Sequence, residues 1–192
     1  MPRKKKYEVA DVLHKAMLCF WKNGYEETSL RLLEQEMGIN QFSIYDSFGS
    51  KEGLYREVLK TYRNHVQHTF LKDLLGSEGH MEDIRTFLLN YGQAIHHEKK
   101  LKGCLMVNTT TQLNAHTEKS QQEVTQYFEF ILNVFTNVLS KAQEQKELPQ
   151  GADIPSMAHF LLVSLQGLSV YAQLQSLKNI ETYVNRLMKT LN

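Results

Sequence analysis

The stretch from Gly24 to Leu54, GYEETSLRLLEQEMGINQFSIYDSFGSKEGL, constrains this chain more than any other, because its punctuation admits only two short helices with a tight turn between them. Thr28 or Ser29 can cap the first helix, since a hydroxyl there accepts from an otherwise unpaired backbone N–H of the opening turn. Leu30, Leu33 and Met37 then fall on one face, and Gly38 follows where the chain must leave the helix in a conformation that a Cβ resists. From Gln41 a second segment turns Ile44 and Phe48 inward and Gln41, Ser43, Ser47 and part of Tyr45 outward. This is a helix-turn-helix pattern, and a polar, short-chained outer face on its second helix suits the base edges of a DNA major groove.

The run GYEETS, followed by MGINQFSIYDSFGSKEGLYREVL, resembles the N-terminal domain of the TetR family of bacterial transcriptional regulators. The resemblance covers about the first third of the chain and is specific in order and spacing. Three departures from the usual pattern stand out: Phe42 replaces a small residue, Asp46 and Ser47 replace a bulky or basic pair, and Glu34 stands where alanine is common. The resemblance implies an all-α chain of about nine helices. An N-terminal three-helix DNA-binding domain would be followed by a C-terminal helical ligand-binding and dimerisation domain. It also implies that Thr28, Tyr45 and Lys51 hold phosphates, that Arg31 reaches a phosphate or a base, and that Gln41, Ser43 and Ser47 face bases.

Composition fits such a chain. The 192 residues are 42% hydrophobic, with three prolines and ten glycines among long amphipathic runs, enough apolar material for a sizeable core. No signal peptide is legible and no apolar run reaches spanning length, so a cytoplasmic protein that does not enter the membrane is expected. Cys19 and Cys104 have no C-x-x-C spacing and are expected as thiols. Net charge is only +1, yet Arg3, Lys4, Lys5 and Lys6 form a basic arm ahead of the first helix. Such an arm neutralises phosphates without reading sequence; a solvated solubilising start is the plainer alternative.

In chain order, a first helix is expected from about Tyr7 to Asn23. Residues 1–50 form the DNA-binding domain with its arm, 51–74 a linking helix capped by Ser50, and 81–192 the second domain beyond a break at LGSEGH. Lys51 and Glu52 occupy the first turn of the linking helix, where the lysine can reach a phosphate and the glutamate complements the helix dipole. A long helix spans about Glu118–Glu147. The next, capped by Asp153, is apolar on two faces, with Leu161, Leu165 and Leu168 on one and Phe160, Ser164, Gly167 and Tyr171 on the other. Two apolar faces need two partners. In the resembled family the last two helices pair across a twofold axis, which places Leu161, Ser164, Leu165, Gly167, Leu168, Tyr183 and Leu187 at a homodimer interface.

An effector cavity is expected among the helices after residue 80, edged by Tyr91, Cys104, Asn108, Tyr127 and Phe160 and suited to a small hydrophobic or aromatic compound. The histidines lack carboxylate or cysteine partners at ligand spacing, and no nucleophile with base and orienter is legible. No metal, no cofactor and no enzymatic activity are therefore expected. Lys99, Lys100 and Lys102 lie near Cys104 in sequence, which leaves a thiol-based redox or electrophile sensor as an alternative. The expected function is a homodimeric transcriptional regulator, a repressor released from a pseudo-palindromic operator by its effector. A DNA-anchored protein governed by a protein partner is the alternative from another class, favoured by large exposed patches outside the dimer interface or by a filled core without a cavity; an activator with the same DNA domain is a third.

Overall fold

The computed structural model describes residues 7–98 and 100–191. The basic arm Arg3 to Lys6, and Lys99, lie outside the described residues. The described chain is all-helical: α1 (Val9–Asn23), α2 (Leu30–Met37), α3 (Gln41–Phe48), α4 (Lys51–Thr69), α5 (Lys72–Leu75), α6 (Met81–His97), α7 (Leu105–Thr110), a 3-10 turn at Leu113–Ala115, α8 (Glu118–Glu144), α9 (Ile154–Tyr171) and α10 (Leu177–Leu191). That is ten α-helices rather than about nine. The expected linking helix to residue 74 stops at Thr69, and the chain resumes as the single turn α5.

Local chemistry explains the boundaries. Ser29, not Thr28, caps α2 by accepting from Leu32 N–H at 3.1 Å. Gly38, at φ +71°, then closes α2 with its N–H on the Glu34 carbonyl. Asn40, Ser50 and Asp153 cap α3, α4 and α9 in the same manner. At α6, Glu147 from beyond the end of α8 accepts from Met81 N–H at 2.8 Å and from His80, joining two helix ends 66 residues apart in sequence.

Helices α1, α2 and α3 enclose a small core of Met17, Phe20, Leu33, Met37 and Ile44, closed on its last side by Leu54 and Val58 of α4. Farther along, α4 lies against α8. The same helix therefore forms part of both cores. Hydrogen bonds cross between the head and the C-terminal half, among them Trp21 Nε1 donating to the Gly103 carbonyl at 2.9 Å and the Tyr55 and Thr109 hydroxyls meeting at 2.8 Å. Gly103 adopts φ +57°, and a Cβ there would lie 2.6 Å from the Ser169 carbonyl oxygen. Only glycine allows this loop to lie so close to α9.

In the C-terminal half α8 packs on α9, and α6 on α10. Helix α9, at 18 residues and mean hydropathy 1.2, is long and apolar enough by length and composition to cross a membrane, contrary to the sequence expectation. One side of it is buried on α8, α6 and α10. The other carries Phe160, Val163, Val170 and Tyr171, all exposed. Leu174 and Leu177 continue that strip toward α10.

Candidate nucleic-acid interface and effector site

The outer face of α3 differs from the one expected. Gln41 is held back on α2: its amide nitrogen donates to Glu34 Oε2 at 3.0 Å and its backbone N–H to Glu34 Oε1 at 2.8 Å. Glu34, where the resembled family often has alanine, thus ties the two helices together and engages the Gln41 amide nitrogen. Ser47 is engaged by the Tyr7 hydroxyl at 2.6 Å. Thr28 is fully buried and its hydroxyl donates to the Gly24 carbonyl at 2.5 Å, closing the end of α1, so it offers no phosphate contact through its side chain. Ser43 is half-buried, while Arg31, Tyr45 and Asp46 are exposed. Phe42 stands out at 78% exposure.

Lys51 lies at the N-terminus of α4 with its ammonium 4.3 Å from the centre of the Tyr25 ring, a cation–π arrangement. Burial pulls its pKa somewhat below the usual lysine value. Beneath it, Glu52 reaches into the C-terminal half. Its carboxylate accepts from Thr117 N–H at 3.1 Å and from the Thr117 hydroxyl at 3.3 Å, and lies 3.3 Å from His116 Nδ1. The His116 ring is fully enclosed, stacked on Tyr55 at 4.9 Å and edge-on to Tyr25 at 4.6 Å. Burial pushes the Tyr55 phenol up to about 12. Burial also raises the Glu52 carboxyl, but Ser120, Thr117, His116 and Tyr25 outweigh it and hold the group below its usual value. The Ser120 hydroxyl faces this cluster without meeting hydrogen-bond geometry. Nothing in the sequence sets His116 apart, and for Tyr25 the one available signal is the Gly-Tyr of the opening motif.

The residues expected around an effector separate. Tyr91, Cys104 and Tyr127 do meet, with Tyr62 added: the Tyr62 hydroxyl donates to Cys104 Sγ at 3.3 Å, and burial holds all three phenols well above the ordinary tyrosine value. They form packed core rather than a cavity wall. Asn108 instead sits at the surface, its amide on the Lys102 carbonyl, and Phe160 is on the outer side of α9. Cys19 and Cys104 are both unpaired and buried. Lys100 and Lys102 are exposed, whereas the groups facing the Cys104 thiol are tyrosines.

Open space lies next to that cluster. A half-open groove of about 470 Å³ runs between α1, α4, the end of α6 and the loop before Cys104, with Leu18, Trp21, His65, Phe70, Ile95 and Leu101 among its walls. Trp21 and His65 meet edge to face at 6.1 Å, as do His65 and Phe70 at 6.2 Å. Burial and the neighbouring His14 lower the His65 pKa, so its imidazole is neutral at pH 7. Thr69, His97 and Glu98 supply polar edges.

Of the residues expected at a subunit interface, Leu161, Ser164, Leu165, Leu168 and Leu187 are buried in the chain's own core. Gly167 is exposed and Tyr183 half-buried. The surface strip is the other face of α9, and its apolar side chains are Phe160, Val163, Val170 and Tyr171.

The family model for the N-terminal domain of "Bacterial regulatory proteins, tetR family" matches residues 12–58, and that for the "Tetracyclin repressor-like, C-terminal domain" matches residues 81–188. Among curated proteins the chain is 30% identical to the HTH-type transcriptional repressor ComR of Escherichia coli (strain K12), over 89% of this chain and 82% of that one. It is 29% identical to the HTH-type transcriptional regulator YezE of Bacillus subtilis (strain 168), over 90% of each. A solved structure of a cysteine mutant of the TetR family regulator CifR, complexed with 26 bp double-strand operator DNA, superposes with a TM-score of 0.82 at 25% identity, covering 99% of this chain and 100% of that one. With both halves matched in their proper order, and a helix-turn-helix seated on α4, this chain belongs to the TetR family of DNA-binding transcriptional regulators.

Proposed function

We propose that the chain is a twofold homodimeric repressor of the cytoplasm, released from a pseudo-palindromic operator when a small, largely uncharged aromatic compound enters the groove beside Trp21. The observation that carries this reading is the groove's membership in both halves: Leu18 and Trp21 belong to α1 of the DNA-binding head, His65 to α4, and Ala94 and Ile95 to α6. A ligand there pushes directly on the seam between head and body. Its volume of about 470 Å³ falls within the usual range for small-molecule sites. Its aromatic walls favour a flat ring, and neutral His65 with Thr69 can hold one hydrogen-bonding substituent.

Repression is supported by the name of the ComR relative. Dimerisation is supported by the strip Phe160, Val163, Val170, Tyr171, Leu174 and Leu177, an apolar surface of the kind that marks an association face. Pairing α9 and α10 with their twofold mates buries it in a four-helix contact. Two heads then face successive major grooves about 34–36 Å apart, or a multiple of that. Arg31, Tyr45 and Lys51 position the protein on phosphates, while Ser43, and Asp46 through a cytosine amine, take part in reading.

Coupling needs a ligand that prefers one head arrangement. A tenfold preference for the DNA-free arrangement contributes about 1.4 kcal/mol per site toward release, and two sites roughly double it. The thiol-sensor alternative is not favoured, because the Cys104 sulfur is buried behind Gly103 among tyrosines. Control by a protein partner is disfavoured by the groove, although the core itself is filled.

Trp21 is the only tryptophan in the chain, so its fluorescence reports on the groove. Indole and 1-naphthol should perturb it saturably and weaken binding to a duplex selected from a random pool. Ala94→Phe, which fills the groove, should abolish both responses while leaving operator binding. Fluorescence and operator affinity that ignore every aromatic probe would overturn the assignment of this groove.

A further inference from the structure

The base-reading face of α3 has lost most of the polar chemistry expected of it. The Gln41 amide nitrogen is committed to Glu34 and the Ser47 hydroxyl to Tyr7, and Ser43 is half-buried. In their place the helix presents Phe42 in its first turn. At 78% this is among the most exposed large apolar side chains of the described residues, exceeded only by Leu174 at 88%. Tyr45 and Asp46, three and four residues on, share its side of the helix and are also exposed.

A phenyl ring neither donates nor accepts a hydrogen bond, so it cannot read the donor and acceptor pattern of base edges. The major groove offers one kind of apolar group, the C5-methyl of thymine. The first turn of a recognition helix is the part that lies closest to base edges. We infer that Phe42 is a specificity-determining residue that packs its ring on thymine methyls, selecting one or two thymines in each operator half-site. The inference rests on α3 being the recognition helix, but not on dimerisation, repression or the effector groove.

Phe42 is coupled to its neighbours in a way that sharpens the reading. The Glu34–Gln41 contact pins the first residue of α3 to α2, so the ring projects from a fixed backbone rather than from a fraying helix end. Asp46, one turn on, carries a carboxylate that tolerates a cytosine amine and is repelled by phosphate and by base acceptors. A half-site with thymine at the position facing Phe42, and cytosine one or two steps along, satisfies both side chains at once.

The test begins with selection of duplexes from a random pool by the full-length protein. In the selected duplex, each thymine is then replaced singly by deoxyuridine, which removes the methyl and leaves every hydrogen-bonding group in place. Wild-type protein should bind about fourfold more weakly at one or two positions per half-site, the effect of one methyl-sized group returned to water. Phe42→Ala should bind the deoxyuridine and thymine duplexes equally at those positions while keeping its other base preferences. Phe42→Leu, which retains an apolar group, should keep part of the discrimination and guards against a variant that merely misfolds. No loss with deoxyuridine in the wild type, or an equal loss in Phe42→Ala, overturns the inference. So does a change in oligomeric mass on Phe42→Ala, which would assign the ring to a protein contact. Failure to select any duplex would instead strike at the DNA-reading assignment of α3.

Discussion

Removing the Glu52 carboxylate tests whether the head and the body of this regulator are fastened at the N-terminus of α4. In Glu52→Ala the Thr117 N–H, the Thr117 hydroxyl and His116 Nδ1 all lose their acceptor. Thr117 is exposed, so water replaces most of what it loses, at a cost below about 1 kcal/mol. His116 is different. Its ring is fully enclosed and Nε2 already lacks a partner among the described residues, so a second orphaned nitrogen costs about 1–3 kcal/mol. Loss of a negative charge in the first turn of α4 adds about 0.3–1 kcal/mol. The total is about 1–5 kcal/mol, a sizeable share of the 5–15 kcal/mol that ordinarily holds a domain folded. Urea unfolding at fixed protomer concentration should show a lower midpoint with an unchanged slope. The pH dependence has a defined sign. Glu52 titrates below its ordinary value of 4.5 when folded, so its contribution is fully present above about pH 4.5 and fades as pH falls through the lowered folded value. The gap between wild type and variant should therefore be widest near neutrality and shrink in acid. A loss under about 0.5 kcal/mol, or a gap that widens in acid, would refute the reasoning.

Two further outcomes follow from the faces already described. Lys51→Ala should weaken binding to specific and random duplexes alike and reduce the salt slope by about one counterion, measured by fluorescence anisotropy across a salt series; a selective loss on the specific duplex would mean that Lys51 reads bases. Val163→Glu, placing a charge on a side chain now 64% exposed on the outer face of α9, should halve the mass seen by light scattering and lower operator affinity by at least tenfold, since one head then grips one half-site. An unchanged dimer mass would move the interface away from this strip.

What the sequence made legible was whatever depends on neighbours within a few residues. The caps at Ser50 and Asp153, the exit at Gly38 and the inward faces of Ile44 and Leu33 are decided by hydrogen bonds and periodicity over one or two helical turns, and the structure keeps them. The DNA-binding face was only partly legible. Gln41 reads as a base contact on a helical wheel, and what removes its amide is Glu34, seven residues back across the turn. No periodicity encodes that contact. The residues expected at a subunit face divide for another reason. Both sides of α9 are apolar, so the hydrophobic pattern announces two partners but does not say which is the chain itself; the stripe through Leu161, Leu165 and Leu168 went to α8, and that through Phe160, Val163 and Val170 was left outside. The residues expected around an effector separate because of distance along the chain. Tyr91 and Tyr127, expected as cavity walls, do converge on Cys104, with Tyr62 added, but buried phenols that close on one thiol leave no space between them. The space appears where packing is interrupted, at the junction made by Trp21 reaching Gly103 across 82 residues of chain. A junction of that kind is set by the docking of finished helices. On the function proposed above, a ligand there would act with most leverage, because the surfaces it separates belong to both halves of the chain.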